Sequence, residues 1–285
     1  MELGFTTMNT PEDPGPAELA GSLEQRGFGS LWIGEHSHIP SSRDTPYPVG
    51  GEMPEAYKRM MDPFVSLTAA ACSTERLTVA TGVILPLERD LFTLAKAVST
   101  IDHVSGGRFV FGVGVGWNEE ELRDHRPDIA WSQRYLALAE AVTALRSLWI
   151  DETSSFHGRW FDFDGAWSFP KPLQHPHPPV ICGTGGPVGT RHAVAWGDGW
   201  APMDVALGNV ERRVTRFREK VREAGRDDVP ITLFCFGDPT ADTLRAYRDL
   251  GIVRVVLGSG RDGWHDPETT YPFLDRYTPL VDELA

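Results

Sequence analysis

The sequence predicts a (β/α)8 TIM barrel, the fold in which eight parallel strands alternate with eight helices. Eight short apolar segments recur along the 285 residues, and a stretch with helical periodicity follows each of them. No G-x-G-x-x-G motif follows the first strand, so the barrel is preferred over the alternative, a doubly wound open sheet. No linker-like change in composition interrupts the alternation, and we expect one domain spanning residues 1–285.

The predicted strands are apolar runs rich in β-branched and aromatic residues and bounded by turn-forming residues. They cover residues 3–6, 30–34, 77–83, 108–113, 180–182, 199–202, 231–236 and 252–257. Gly106 and Gly107, just before the fourth strand, are suited to the left-handed turn that ends the preceding helix.

The helices between these strands are predicted from periodicity and end signals. The first is expected over residues 14–26, with Asp13 as its N-cap, Pro14 at the first position and Gly27 as the stop. The others are expected at residues 63–73, 91–103, 135–149, 188–196, 210–221, 241–250 and 271–284. Residues 154–179, rich in aromatics, Pro and His, predict an insertion with a hairpin.

Composition and charge argue against several classes of function. The net charge of −13 argues against a nucleic-acid or anionic-membrane partner, because either needs a basic face. Cys72, Cys182 and Cys235 form no C-x-x-C pair, and we expect three buried, reduced thiols. No stretch reads as a secretion leader or a membrane span, and we expect a cytoplasmic protein.

Glycines alternate where the fourth strand ends. Gly112, Gly114 and Gly116 leave one side of the chain without side chains, so a flat ring or another backbone can come close. Parallel α/β folds bind their ligands at the carboxyl ends of the strands. These glycines therefore predict a ligand site at that end of the barrel.

The second strand ends in Glu35 and His36, with His38 two residues further on. At a strand exit, His36 is a candidate acid, hydrogen-bond donor to a cofactor, or metal ligand. The H-x-H pair of His36 and His38 also occurs in zinc hydrolases of this fold. That interpretation needs more ligands at other strand exits, and we expect no metal site.

The fifth strand runs into Gly183, Thr184, Gly185 and Gly186, which precede a helix; we call these four residues the 183–186 turn. Free amides and a helix dipole favour an anion such as phosphate there, and a plain tight turn is the alternative. Lys171 and Arg191 are either charge partners of that phosphate or surface residues.

Two further features follow the alternating glycines. Trp117 is expected either to stack on a ligand ring or to plug the core. Glu119, Glu120 and Glu121 are expected to be mostly solvated at a helix start, where negative charge is favourable, with one of them as a candidate to face the pocket.

Six sequence blocks occur in an order that is typical of one family. They are W-I-G-E-H at 32–36, A-T-G-V at 80–83, L-A-K-A-V-S-T-I-D-H-V-S-G-G-R-F at 94–109, G-V-G-V-G-W-N at 112–118, G-T-G-G at 183–186 and A-W-G-D-G-W at 195–200. Together they resemble the luciferase-like monooxygenase superfamily, and more closely its flavin- or deazaflavin-dependent oxidoreductases. The E-H-S-H-I-P segment favours the deazaflavin branch.

The resemblance implies a barrel with an insertion region and a cofactor that is coenzyme F420 or, alternatively, FMN. The ring would lie over a third-strand bulge that often contains a non-prolyl cis peptide in relatives, here at Gly82-Val83. His36 matches a histidine implicated in proton transfer, and the 183–186 turn matches the phosphate-binding loop. With His36 as the catalytic residue, the residues expected to contact the cofactor are Phe5, Glu35, His36, Thr81, Gly82, Val83, Gly114, Gly116, Gly183, Thr184, Gly185 and Gly186.

The leading hypothesis is therefore a flavin- or deazaflavin-dependent oxidoreductase that transfers hydride between coenzyme F420 and a small organic substrate. Its alternatives are an FMN-dependent monooxygenase of the two-component type, a zinc hydrolase that uses His36 and His38, and a non-catalytic flavoprotein of the same fold. Relatives are commonly dimers, and a homodimer is expected.

Overall fold

The computed structural model describes residues 1–258 and 266–285, and within them eight parallel strands form one sheet. The chain order is β1, β2, β3, β4, β7, β8, β9, β10, and β5 and β6 form a separate antiparallel hairpin. The bounds are Glu2–Thr7 (β1), Ser30–Ile33 (β2), Thr78–Thr81 (β3), Phe109–Val113 (β4), Ser154–His157 (β5), Asp162–Ala166 (β6), Val180–Cys182 (β7), Gly199–Trp200 (β8), Thr232–Cys235 (β9) and Arg254–Gly258 (β10).

The sheet closes on itself. Its hydrogen-bonded order runs β8-β7-β4-β3-β2-β1-β10-β9, and parallel bridges from Trp200 to Ile231 and from Met203 to Phe234 join the two ends. The predicted barrel is confirmed, and the doubly wound alternative is wrong because the two end strands face each other. The predicted hairpin in the insertion is confirmed as well.

The helices pack around this cylinder. They are Pro16–Gln25 (α1), Pro63–Cys72 (α2), Leu91–Val104 (α3), Glu119–His125 (α4), Arg134–Ile150 (α5), Pro187–Trp196 (α6), Asp204–Leu207 (α7), Val210–Glu223 (α8), Ala241–Asp249 (α9) and Pro267–Leu284 (α10). The predicted start of the first helix is wrong: Gly15 is its N-cap, and Asp13 instead accepts a hydrogen bond from the amide of Thr10.

Apolar side chains divide between the inside of the barrel and the space under the helices. The inner cluster consists of Trp32, Ala80, Ile181, Ala201, Phe234 and Val256. The ring of Phe234 meets that of Trp32 edge-on, with centroids 5.4 Å apart. The larger outer cluster takes the neighbouring strand residues, such as Leu31 and Ile33 on either side of Trp32, and packs them against the helices. Both faces of the strands are therefore buried, as in other parallel sheets.

Arg108 ties the start of β4 to the segment before β3. Its guanidinium donates to the carbonyls of Ser105, Ala71, Thr74 and Leu77 and to the Thr74 hydroxyl. Gly106 and Gly107 have φ values of 65° and 80°, so the predicted left-handed turn before this arginine is confirmed. The S-G-G-R sequence thus has a structural role at the amino-terminal end of the barrel.

The predicted burial of the three cysteines holds for two of them. Cys182 and Cys235 are buried, but Cys72 at the end of α2 is exposed, so the expectation of three buried thiols is wrong for Cys72. Cys72 is the last residue of α2 and is exposed at the end of that helix. Among the residues described, none of the helices has the length and apolar character needed to cross a bilayer.

The role of Arg108 predicts a large loss of stability on truncation. Arg108→Ala removes several charge-assisted hydrogen bonds to carbonyl groups that are left without a donor. We expect the free energy of unfolding to fall by about 2 to 4 kcal/mol. Urea unfolding followed by tryptophan fluorescence measures this, and Arg222→Ala, an exposed position on α8, is the matched control. Equal stability of the two variants would contradict the role assigned to Arg108.

Candidate active site

The alternating glycines at the end of β4 are covered by the loop that leaves β3. A Cβ on Gly114 would lie 2.7 Å from Cγ2 of Val83, and one on Gly183 would lie 2.5 Å from its Cγ1. A Cβ on Gly112 would come within 2.0 Å of the Thr81 carbonyl oxygen. The backbone of Thr81 thus approaches Gly112, whereas the side chain of Val83 fills the space beside Gly114 and Gly183.

The loop itself has the backbone form expected from the family resemblance. The Gly82-Val83 peptide bond is cis. Gly82 rests on the inner cluster of the barrel: a Cβ there would lie 3.0 Å from both the Phe234 ring and Cβ of Trp32. The Thr81 hydroxyl donates to the Gly112 carbonyl. Three predicted site residues therefore lie together where β3 ends: Thr81 is buried, and the partly exposed Gly82 and Val83 form the floor of the barrel mouth.

His36 lies beside this floor with both ring nitrogens engaged. Nδ1 is 2.6 Å from Oε2 of Glu121, and Nε2 is 3.0 Å from Nε1 of Trp117. Since an indole N–H can only donate, Nε2 is the acceptor and the neutral ring carries its proton on Nδ1. The side chain is only 7% exposed. The structure thus holds His36 in one tautomer and one orientation.

Aromatic rings surround His36 on the side of the mouth. Tyr57 and Trp117 meet its ring edge-on, at centroid distances of 5.3 and 5.6 Å. Tyr47 packs against both of these neighbours. Of the two roles considered for Trp117, ligand stacking or plugging, the structure shows it as a partner of His36 within this ring cluster.

Glu35 binds the chain segment that follows Val83. Its carboxylate accepts hydrogen bonds from the Leu85 amide and from Nε of Arg89, at 2.9 and 2.6 Å. Arg89 reaches on to Asp62, which caps α2. The Glu35 side chain therefore holds the segment after Val83 in place, and its carboxylate is turned away from the mouth.

Two buried carboxyl groups lie behind His36. Glu121 is fully buried in α4, and Glu88, 7% exposed, follows β3 in a short 3-10 turn. Oε2 of Glu88 and Oε1 of Glu121 are buried and have no hydrogen-bond partner in the described part of the chain. Burial, the charge of Glu121 and the charge of Glu35 raise the pKa of Glu88 from 4.5 to about 10. The neutral form of Glu88 is therefore favoured, and Glu121 contacts Nδ1 of His36.

The three glutamates that begin α4 differ in how far they are exposed to solvent. Glu119 is exposed, but Glu120 and Glu121 are buried, so the expectation of solvated residues is wrong for these two. Burial opposes the ionisation of Glu120, yet the Thr45 hydroxyl and the amides of Asp44 and Thr45 outweigh it and lower its pKa to about 2. Glu120 thus anchors the segment that follows β2.

The 183–186 turn directs its carbonyl groups inward. The Thr184 carbonyl accepts from Trp200, that of Gly185 from Arg213 and that of Gly186 from Thr190. The Gly183 amide donates to Val113. Among the described residues, no acceptor pairs with the amides of Thr184, Gly185 and Gly186 at the start of α6. The turn can therefore offer three amides to an anion.

Other predicted residues lie away from the mouth. The ring of Phe5 faces outward and packs on Phe273 of α10, 6.0 Å away, so its side chain does not reach the site. Lys171 donates to the carbonyls of Leu148 and Asp151 at the end of α5 instead of to a phosphate site. Arg191 is exposed on α6.

The histidine pair does not form a metal centre with further ligands. His36 turns to Glu121, whereas His38 turns to Ser37 and Asp124. No group of three potential His, Cys, Asp or Glu ligands converges anywhere in residues 1–258 and 266–285. The zinc hydrolase alternative therefore has no ligand set in the described structure.

The fit between β3 and β4 predicts opposite effects for two glycine substitutions. Gly112→Ala places a methyl group against a backbone carbonyl that cannot move freely, so we expect a loss of about 1 to 3 kcal/mol or more. Gly21→Ala in α1 meets open space and should stabilise the protein by about 0.5 to 1 kcal/mol. Thermal unfolding of both variants tests the assignment, and a neutral Gly112→Ala would contradict it.

The raised pKa of Glu88 predicts a stability that depends on pH. Between the ordinary carboxyl pKa and about 10, the folded protein binds more protons here than the unfolded chain, so stability falls as pH rises. Glu88→Gln removes that titration. The stability of the variant relative to wild type should rise by about 1 to 3 kcal/mol between about pH 5 and about pH 9.

Urea unfolding at a series of pH values measures this difference, with Glu152→Gln at an exposed position as the control. The control should follow the wild-type curve throughout. A constant offset between Glu88→Gln and wild type would show that Glu88 is ionised in the folded protein.

Sequence comparisons identify a matching family and several related proteins. A family profile described as luciferase-like monooxygenase matches residues 9–270. An uncharacterized protein of Mycobacterium tuberculosis is 36% identical over 267 residues, which are 90% of this chain and 92% of that protein. An F420-dependent glucose-6-phosphate dehydrogenase of Intrasporangium calvum is 31% identical over 196 residues, 66% of this chain and 54% of that one. An FMNH2-dependent dimethylsulfone monooxygenase of Pseudomonas putida is 29% identical over 180 residues, 62% and 49% of the two chains.

Solved structures share the fold over the whole chain. The monooxygenase RslO1 from Streptomyces bottropensis superposes with a TM-score of 0.74 at 19% identity and covers 100% of both chains. An F420-dependent secondary alcohol dehydrogenase in complex with an F420-acetone adduct has a TM-score of 0.74 at 18% identity and covers 100% of this chain and 99% of that one. From its sequence and its barrel, this chain belongs to the luciferase-like monooxygenase family.

Proposed function

We propose that this protein is an oxidoreductase that transfers hydride between coenzyme F420 and a small organic substrate. The observation that carries the proposal is the 183–186 turn. The carbonyls of Thr184, Gly185 and Gly186 are paired inside the protein, and the amides of the same three residues have no acceptor among the described residues. A phosphate on a cofactor tail would satisfy the amides of Thr184, Gly185 and Gly186, helped by the dipole of α6. The curated relative of Intrasporangium calvum, named as F420-dependent, supports this cofactor.

The floor of the mouth would carry the redox ring. Gly82 and Val83 form a partly exposed surface, and the glycines at 114 and 183, which follow β4 and β7, leave room for the Val83 side chain. When bound, F420 supplies hydride transfer, a reaction for which protein side chains have no equivalent. The protein would contribute binding, orientation and the exclusion of water from the closed mouth.

His36 would hold or move the proton that accompanies the hydride. Its Nε2 atom accepts a hydrogen bond from the indole of Trp117. A turn of that indole would free the Nε2 lone pair, while Glu121 keeps the ring oriented through Nδ1. The site therefore presents one titratable nitrogen next to the floor.

FMN is the second candidate, and one comparison favours it. The Pseudomonas putida relative is named as an FMNH2-dependent monooxygenase, and the 183–186 turn would suit the phosphate of FMN as well. A flavin would bring oxygen activation in place of simple hydride transfer.

A homodimer and a cytoplasmic location remain predictions from the sequence.

Parallel binding titrations separate the two cofactors. Purified protein is titrated with F420 and with FMN, and the change in cofactor fluorescence is recorded for each. The proposal expects F420 to bind more tightly by about tenfold or more. Tighter binding of FMN would favour the monooxygenase, and failure of both cofactors to bind would overturn the proposed function.

The anion-binding role of the turn can be tested at Gly186. This residue has φ −80° and ψ 161°, and a Cβ there would meet nothing within 4 Å, so a side chain is tolerated. Gly186→Asp places a negative charge beside the amides and should weaken F420 binding by about tenfold or more. Gly186→Asn has the same shape without the charge and should bind close to wild type. Equal losses in the two variants would contradict a phosphate site.

A further inference from the structure

A group of exposed polar side chains joins the segment that follows β2 to the end of α4. Ser37 and His38 belong to that segment, and Asp124 and His125 are the last two residues of α4. The Ser37 hydroxyl lies 2.9 Å from Nδ1 of His38 and 2.7 Å from Nε2 of His125. Two imidazole nitrogens from different elements therefore converge on one hydroxyl group.

Asp124 fixes the tautomer of His38. Its Oδ2 atom lies 3.2 Å from Nε2 of His38. Because a carboxylate can only accept, Nε2 carries the proton, and the lone pair of the neutral ring lies at Nδ1, which contacts Ser37. Histidines that bind metal ions commonly donate their other N–H to a carboxylate in this way. His38 thus has the orientation and the outer partner of a metal ligand.

His125 supplies the second nitrogen. The Ser37 hydroxyl has one hydrogen, which goes to His38, so Nε2 of His125 donates to the hydroxyl oxygen. If the His125 proton shifts to Nδ1, which gives the other neutral tautomer, Nε2 presents a lone pair as well. Partial burial and the nearby His38 lower the pKa of His125, and this favours the neutral ring. The two rings lie 5.4 Å apart, centroid to centroid.

We propose that His38 and His125 form a binding site for a divalent transition metal ion such as Zn²⁺. Nδ1 of His38 and Nε2 of His125 would be the nitrogen ligands, and the ion would replace their hydrogen bonds to Ser37. Imidazole nitrogens suit Zn²⁺, Cu²⁺ and Ni²⁺, whereas Mg²⁺ and Ca²⁺ prefer oxygen ligands. Zn–N bonds of about 2.0 to 2.1 Å need only small rotations of these exposed side chains.

Water would complete the coordination of the ion. Asp124 contacts the ring nitrogen of His38 that is turned away from Ser37, so its carboxylate is an outer partner rather than a ligand. The finding that no three His, Cys, Asp or Glu ligands converge in the described chain agrees with such an arrangement. Structural zinc sites are closed by four protein ligands. We therefore expect an exchangeable ion and not a structural centre.

A bound ion would add a further link between two segments that already contact each other. The first turn of α4 holds the segment after β2 through Glu120 and Glu121. An ion on His38 and His125 would join that segment to the last turn of the same helix. Ion binding would therefore restrain the chain that carries His36. This inference does not depend on which cofactor the protein binds.

Calorimetric titration of ZnCl2 into the full-length protein, free of affinity tag and cofactor, tests the site. We expect saturable binding of one ion per chain and no binding of MgCl2. His38→Gln and His125→Gln each remove a nitrogen ligand and should weaken Zn²⁺ binding by about tenfold or more. His157→Gln is the matched control, since this exposed histidine of the hairpin also pairs with a carboxylate, that of Asp162. The control should bind Zn²⁺ like wild type.

Two further variants separate metal coordination from a merely structural contact. Asp124→Asn leaves both nitrogen ligands in place but removes the outer carboxylate, and it should weaken Zn²⁺ binding by about 10- to 100-fold. Ser37→Ala removes the hydroxyl between the rings and should bind Zn²⁺ close to wild type. A large loss in Ser37→Ala together with wild-type binding in Asp124→Asn would contradict the proposed ligand set.

Electron paramagnetic resonance of the protein loaded with Cu²⁺ reads the ligands directly. The wild type should show nitrogen hyperfine splitting from two imidazoles, and His125→Gln should show it from one. Undetectable Zn²⁺ binding, an equal loss in His157→Gln, or a Cu²⁺ spectrum unchanged by His125→Gln would overturn the proposal. None of these readings involves F420 or FMN, so the proposed function is tested separately.

Discussion

The packing of Val83 into the space left by glycines is the constraint on which the mouth of this barrel depends. Any side chain at Gly114 or Gly183 would occupy the volume of the two Val83 methyl groups. Gly112 lets the Thr81 carbonyl approach in the same way. Close-packed interiors tolerate no such overlap, so the valine at position 83 requires glycine at positions 114 and 183. The path of this loop therefore depends on the residues that follow β4 and β7 as well as on its own Gly82 and Val83.

The same loop connects the floor to the histidine. After Val83, the Leu85 amide donates a hydrogen bond to the Glu35 carboxylate. Glu88 follows three residues later and lies near Glu121. Three acidic residues are thus gathered near one imidazole ring, and they avoid mutual repulsion in different ways. Arg89 neutralises Glu35, Glu88 stays protonated and Glu121 faces the Nδ1 proton. A buried group of like charges is stable only when each member has such a partner.

Much of this architecture could be predicted from the sequence, because strands, helix ends and the 183–186 turn have local signals. The direction of Phe5 could not, since a strand buried on both faces gives no alternation to read. The approach of Glu88 to Glu121 could not be predicted either, because it depends on how the 3-10 turn after β3 meets α4. Glu120 and Glu121 look like an ordinary acidic helix start, and only the fold shows that both are buried.

The neighbouring positions of Glu120 and Glu121 have a mechanical consequence. Glu120 accepts hydrogen bonds from the backbone amides of Asp44 and Thr45, and Glu121 contacts Nδ1 of the His36 imidazole. Since both belong to the first turn of α4, which Asn118 caps, that turn acts as a rigid link between them. A shift of the segment that follows β2 would therefore be transmitted through α4 to the orientation of the His36 ring.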